Sequence, residues 1–312
     1  MTRTLYPFQV EGAEFLAARN AAMLYDDPGL GKSTQALASL PKSTRCLIVC
    51  PLSVKRVWFN ETRIVRPDLT VSILSGRKGF RWPEQDEVVI VNWDILPDTA
   101  SHPPKGLVVV GDEAHMAKTP TAKRSRKFFA IGQAAINMGG RVSIMTGTPI
   151  LSWPSDLWGV TRAGHIHDRC WGSYRNFVHL FRGYETQFGM RWGQPRSEVP
   201  SLMAPHCLGR KRELVLPQLP VKTFSRVDVA AKAVLMEGVT EEQVEREVAE
   251  NRPSASLSRI RASLALAKAQ SVELQEMLQL WAAEGPCVVF SMHRDAAKAV
   301  ADAFHTTALD GD

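Results

Sequence analysis

The first 150 residues alternate short apolar runs with longer amphipathic or polar stretches. The runs are Cys46–Cys50, Val71–Leu74, Val88–Val91, Leu107–Val110 and Val142–Met145. They are short, rich in β-branched residues and do not alternate with polar positions, as expected of strands buried on both faces of a parallel sheet. Helical composition between them predicts an α/β, doubly wound domain over residues 1–150. Residues 151–222 are rich in Trp, Arg, Gly and Pro and contain no clear strand run, which predicts a helical or irregular subdomain. Beyond it, 229–250 and 255–284 read as helices. The second carries a broad apolar face through Leu257, Ile260, Leu264, Leu266, Val272, Leu274, Leu278 and Trp281, and Gly285 is placed to stop it. Val288-Val289-Phe290 then reads as the opening strand of a new sheet, so 223–312 is expected to form a third region.

Composition narrows the classes. A hydrophobic fraction of 45% and a charged fraction of 22% are those of a globular protein. No apolar run approaches the ~20 residues that cross a bilayer, and the first residues, MTRTLYPFQVEG, lack the apolar core of a signal peptide. Five scattered cysteines form no disulfide framework, which points to a reducing, intracellular compartment. The net charge of +6 is unevenly spread. Residues 1–150 carry an excess of +6 and 151–222 of +5, whereas 223–312 carry −5. A basic surface over the first 222 residues would attract a phosphate backbone, although a solvated basic surface without a partner has the same composition.

The strongest local signal is Asp26-Asp27-Pro28-Gly29-Leu30-Gly31-Lys32-Ser33-Thr34 before a helical stretch. Glycines at 29 and 31 let backbone N–H groups turn inward around phosphate oxygens, and the following helix points its positive end at the same anion. In such a loop Lys32 reaches the terminal phosphates and the Ser33 hydroxyl holds Mg²⁺. The first glycine of the general pattern is replaced by Asp26.

Directly after the Leu107–Val110 run comes Gly111-Asp112-Glu113-Ala114-His115. Two adjacent carboxylates at a strand end suit phosphoryl transfer to water, with Asp112 positioning Mg²⁺ and Glu113 orienting and deprotonating the water. A polar strand end or helix cap is the bland alternative. Its place some 80 residues after the phosphate loop argues against that alternative.

Together these segments resemble superfamily 2 helicase-like ATPases, and specifically their Swi/Snf-type branch, in which the Asp26 replacement is normal. Leu5-Tyr6-Pro7-Phe8-Gln9-Val10-Glu11-Gly12 resembles the opening adenine-recognition segment, with Gln9 as the base reader. Cys50–Trp58, containing Ser53 and Lys55, and Val91–Leu96, containing Asn92, resemble segments that touch the tracked DNA strand. Met145-Thr146-Gly147-Thr148-Pro149 resembles the segment coupling the ATP site to DNA. Lys118 through Lys127, including Arg124, also follows the family pattern. Cys207–Pro220 resembles the bridge between the two lobes, and Gly189–Gly193 is similar to the compact branch that includes annealing helicases.

The resemblance implies a RecA-like, P-loop first lobe, a helical insertion and the start of a second RecA-like lobe. It implies ATP and Mg²⁺ as ligands, with Gln9, Gly29, Leu30, Gly31, Lys32, Ser33 and Thr34 around the nucleotide and Ser33 and Asp112 on the metal. Lys32, Asp112 and Glu113 would be the catalytic set, and His115, Thr146, Gly147 and Thr148 the relay. Duplex DNA would be held through its backbone by Ser53, Lys55, Asn92, Lys118 and Arg124. The activity implied is DNA-stimulated ATP hydrolysis driving translocation, with no membrane partner. One departure weighs on it: the 312 residues hold no Gln-x-x-x-Arg-x-x-Arg segment to supply arginine fingers, which are worth on the order of 10³–10⁵ in rate. Weak turnover by this chain alone is therefore expected unless a second copy or a partner protein supplies them. The other reading is a nucleotide-gated DNA-binding or adaptor module, or the front half of a split motor. His165, His167, Cys170, His206 and Cys207 match no zinc spacing, and Trp153, Trp158, Trp171 and Trp192 read as packing in a helical subdomain, with stacking on bases as the alternative.

Overall fold

The computed structural model describes residues 4–76, 79–98, 100–220, 223–229, 246 and 255–309. Two compact units meet in the sequence at Pro220/Val221. In the first, seven strands form one parallel sheet: β1 (Ala21–Leu24), β2 (Arg45–Cys50), β3 (Thr70–Ile73), β4 (Glu87–Asn92), β5 (Leu107–Gly111), β6 (Arg141–Met145) and, after a long excursion, β9 (Cys207–Leu208). Their spatial order is β3-β4-β2-β5-β6-β1-β9. All five apolar runs of the sequence fall on strands, and the interior ones are buried on both faces. β1 escaped the sequence pattern because Ala-Ala-Met-Leu is short and lacks β-branched residues, yet it is fully buried between β6 and β9.

Helices α1 (Pro7–Ala17), α2 (Lys32–Ala38), α3 (Lys55–Val65) and α4 (Lys123–Asn137) cover the two faces. The cores they close contain Leu16, Leu37 and Trp58 on one face and Trp93, Phe128 and Ile131 on the other. The region after Met145 is helical and falls in the same unit. It contains α5 (Pro154–Ala163), α6 (His167–Trp171), α7 (Tyr174–Leu180), α8 (Val199–Met203) and α9 (Arg212–Val215). It also forms a small antiparallel hairpin, β7 (Tyr184–Thr186) and β8 (Gly189–Arg191), that the sequence pattern missed. Trp158 and Trp171 pack edge-on or tilted against Phe177, so both serve the aromatic core of this region.

The second unit holds α10 (Ala255–Ala269), α11 (Val272–Glu284) and α12 (Arg294–Ala303). The expected single helix over 255–284 is two: Ser271 is extended and its hydroxyl accepts a hydrogen bond from Leu274 N, so it caps a new helix. Gly285 ends it, as the sequence indicates. Val288-Val289-Phe290 forms no strand; it has no neighbouring strand to pair with among the described residues, and Phe290 is exposed. Most of the expected 229–250 helix lies outside the described residues. Among the described residues, no helix is long and apolar enough to cross a membrane.

Candidate functional site: a glycine turn, two carboxylates and a Thr-Gly-Thr loop at one sheet edge

The strand order determines what meets at the site. β5, β6 and β1 are neighbours, so the loops leaving their C-terminal ends lie side by side. Those loops are Asp112–His115, Thr146–Thr148 and Asp26–Gly31. Ligands of open α/β sheets bind outside this edge. Here it carries a cavity of about 490 Å³ lined by Gly29, Gly31, Lys32, Ser33, Thr34, Asp112, Glu113, His115, Gly147 and Thr148. Two segments some 80 residues apart thus share one wall, with the Thr-Gly-Thr segment between them.

Gly31 caps α2 with φ of +71°, in the left-handed region, and a Cβ there would strike Gln9 Nε2 at 2.5 Å. Only glycine meets both constraints. Lys32 follows as the first residue of α2, and its Nζ donates to the carbonyls of Asp26 at 2.7 Å and Asp27 at 3.3 Å. Burial lowers the Lys32 pKa, while the carboxylates of Glu113, Asp26, Asp112 and Asp27 oppose that shift. Gly147 closes the cavity opposite: a Cβ there would lie 3.1 Å from Pro28 and 3.7 Å from Lys32 Nζ.

Asp112 is positioned by a residue the sequence analysis assigned elsewhere. Trp58 of α3 donates its indole N–H to Asp112 Oδ2 at 2.8 Å, and the Glu113 N–H donates to Oδ1 at 2.9 Å. Burial raises the Asp112 pKa, which the Trp58 hydrogen bond partly offsets. A half-buried carboxylate with lone pairs to spare, lining the same cavity as Ser33, is a donor set that fits Mg²⁺. Glu113 itself adopts a left-handed backbone, φ +48°. His115 Nδ1 lies 3.1 Å from Glu113 Oε2 and 3.1 Å from Thr146 Oγ1, and Thr146 Oγ1 accepts from Thr148 N at 3.1 Å. A polar chain therefore runs from Glu113 through His115 to Thr146 and Thr148.

Other expected residues are placed differently. Gln9 is buried behind the loop, not on the cavity wall; its amide donates to Leu30 O at 3.3 Å and its Oε1 accepts from Tyr6 N at 3.1 Å. The Leu30 side chain is fully buried, so only its backbone belongs to the loop. The Thr34 hydroxyl is hydrogen-bonded to Glu61 of α3, which also lines the cavity.

Two of the expected DNA contacts are buried here. Lys55 is buried and its ammonium donates to Leu74 O at 2.7 Å, and Asn92 is buried at the end of β4, paired with Cys50 of β2. Ser53 is exposed in the turn before α3. Lys118 is half-buried 3.5 Å from Asp156, and Arg124 is partly exposed at the start of α4. Arg124 lines a second cavity of about 590 Å³ with Trp93, Asp94, Lys123, Arg126 and Lys127.

Asp26 is held by residues far away in the sequence. Arg210, in the Cys207–Pro220 segment, donates from N and Nε to Asp26 Oδ1, both at 3.0 Å, and from Nη2 to Oδ2 at 2.7 Å. Gln35 Nε2 adds a donor to Asp26 Oδ2 at 3.0 Å. Arg212 N donates to Asp27 Oδ2 at 3.0 Å, and this bond leads in holding the Asp27 carboxyl below its usual pKa. The only signal in the sequence was the pairing of an acidic doublet, Asp26-Asp27, with a basic cluster, Arg210-Lys211-Arg212.

The RecA-like sheet and this cavity define a helicase-like ATPase core, and the chain belongs to the family described as SNF2-related domain, whose model matches residues 8–269. Among its relatives is the human protein named DNA annealing helicase and endonuclease ZRANB3, 28% identical over 243 residues, covering 72% of this chain and 22% of the relative. Another is the Caenorhabditis elegans homolog of SWI/SNF-related matrix-associated actin-dependent regulator of chromatin subfamily A-like protein 1. It is 31% identical over 163 residues, covering 49% of this chain and 23% of that protein. The chain thus spans less than a quarter of the length of these relatives. The solved SWI2/SNF2 ATPase core of Sulfolobus solfataricus in complex with dsDNA has the same fold, with a TM-score of 0.56 at 20% identity, over 97% of this chain and 70% of that one.

Proposed function

We propose that this chain is the ATP-binding part of a translocase motor that hydrolyses ATP in response to duplex DNA. The carrying observation is the convergence of Lys32, Ser33, Asp112 and Glu113 on one cavity, with His115 and Thr148 on its rim. In this reading the turned backbone of Gly29–Gly31 and the start of α2 receive the phosphates, and Lys32 exchanges its loop carbonyls for phosphate oxygens. Ser33 and Asp112 would hold Mg²⁺, which neutralises charge developing on the transferred phosphoryl group. Glu113 orients the attacking water and accepts its proton. The His115–Thr146–Thr148 chain reports the state of the nucleotide to the DNA-facing surface.

Ser53, Lys118 and Arg124 are the candidate contacts to that DNA, through its backbone and without sequence preference. The basic excess of the first 222 residues supports this, as do relatives whose names specify DNA annealing and a structural neighbour in complex with dsDNA. The lack of an arginine-finger segment in these 312 residues favours weak turnover by this chain alone, with a second copy or partner completing the site. The other reading is a nucleotide-gated binding module that does not hydrolyse ATP by itself. ATP turnover with and without duplex DNA separates the two: duplex-stimulated turnover supports the motor, and ATP binding without turnover supports the module.

A further inference from the structure

Two arms of chain leave the cavity, and they meet a second time. At the cavity they touch where His115 Nδ1 lies 3.1 Å from Thr146 Oγ1. One arm runs from His115 along the short turn Ala114–Ala117 to Lys118, whose backbone N–H donates to His115 O at 3.1 Å. The other runs from Thr146 into the first turn of α5, where Asp156 stands. There Lys118 Nζ donates to Asp156 Oδ2 at 3.5 Å, which closes the circuit. Asp156 also shapes the second arm. The same oxygen accepts from the N–H groups of Leu151 at 3.1 Å, Ser152 at 2.8 Å and Trp153 at 3.4 Å. The Lys118 backbone is held against the same helix, because a Cβ at Gly159 of α5 would run into the Lys118 carbonyl.

A helix cap accounts for the three N–H bonds but not for the lysine. Those donors, at the positive end of α5, already satisfy the buried Asp156 oxygen. The Lys118 side chain keeps 33% of its exposure, so its ammonium stands where Asp156 and a phosphate at the surface can both reach it. We infer that Asp156 is a positioning residue that carries the state of the nucleotide to a DNA contact. One carboxylate holds the turn behind the Thr-Gly-Thr segment and also sets how far Lys118 is free to meet a phosphate. Because both contacts close one circuit, a shift of Thr146 against His115 is felt at Lys118. By reciprocity, a phosphate that draws Lys118 away acts back on the cavity. The inference rests on the DNA-motor reading and specifies its regulation.

The test measures the affinity of the 312-residue chain for a labelled blunt duplex with and without Mg²⁺ and adenylyl imidodiphosphate, a non-hydrolysable ATP analogue. The readout is the ratio of the two affinities. In the parent it is expected to depart from one by at least about fivefold, the lower end of ordinary allosteric coupling. Asp156→Asn keeps an acceptor for the three N–H groups but loses the charge that faces Lys118. It is expected to stay folded and to bind the analogue as the parent does, with the ratio brought to within about twofold of one. Lys118→Gln should collapse the ratio from the other side, Lys118→Arg should keep it, and the double variant should be no worse than either single. A ratio of parental size in Asp156→Asn overturns the inference, and so does a collapse that comes with weakened analogue binding. If Asp156→Asn does not fold, a parental ratio in Lys118→Gln overturns it. A parent that binds duplex with a ratio of one overturns the inference alone, whereas a parent that binds no duplex overturns the motor reading and the inference with it.

Discussion

Arg210 grips the buried carboxylate of Asp26 with two side-chain donors, Nε at 3.0 Å and Nη2 at 2.7 Å, across 184 positions of sequence. Asp26 opens the phosphate loop where the general pattern has glycine, and its exposure is nil. The ion pair fixes the loop's first turn to β9 and the segment that follows it. Removing one partner of a buried pair costs about 3–5 kcal/mol, because the other is left charged and unpaired. Arg210→Ala is therefore expected to destabilise the first unit by at least about 3 kcal/mol in denaturant unfolding and to weaken ATP binding. Asp26→Asn in the same chain should recover part of both losses. Arg210→Lys should fail to restore them, since an ammonium cannot make the two-pronged contact. Unchanged stability in Arg210→Ala would refute the role of the pair.

Glu113 tests hydrolysis separately from binding. A positioned general base contributes roughly 10²–10⁴ in rate. Glu113→Gln keeps the size of the side chain and its ability to accept from His115 but cannot take a proton. Its expected behaviour is ATP affinity within about threefold of the parent with turnover lowered at least ~100-fold. Equal turnover in single-turnover assays would remove Glu113 from the chemistry.

His165 carries a pH dependence of stability. Burial, chiefly, pushes its pKa down to about 4; Arg162 and His167 act in the same direction, against its hydrogen bond to Phe129 O at 3.0 Å. The unfolded chain protonates this imidazole near its ordinary value of about 6.5, whereas the folded chain resists protonation until about 4. Between those values the unfolded state binds more protons, so stability falls as pH drops through that window, by roughly 3 kcal/mol at most. Thermal unfolding from pH 7 to 4.5 should show the slope, and His165→Gln, which keeps a donor for Phe129 O, should flatten it. A parallel slope in the variant would assign the effect to other groups.

The central sheet was legible because β2, β4, β5 and β6 are continuous β-branched runs buried on both faces. β1 was not, since Ala21–Leu24 has neither the length nor the residue types, and its strand character comes from β6 and β9 on either side. The phosphate loop and the Asp112-Glu113 pair were legible as local segments whose backbone demands are met by their own residues. What holds them was not: Trp58 reaches Asp112 over 54 positions and Arg210 reaches Asp26 over 184. Such partners follow from packing, which a single sequence does not display. Lys55 shows the converse, a lysine of DNA-contact type whose ammonium is spent on the Leu74 carbonyl. The 255–284 helix was read as continuous because its apolar face is, while the break at Ser271 depends on one hydroxyl bonding Leu274 N.

The most direct test is steady-state ATP turnover by the 312-residue chain, with and without blunt duplex DNA, beside Lys32→Ala. Turnover is expected to be slow, to rise with duplex, to fall back as salt is added, and to disappear in Lys32→Ala together with ATP binding. Turnover or ATP affinity unchanged in Lys32→Ala would contradict the phosphate-loop site, and turnover indifferent to duplex would contradict the DNA motor.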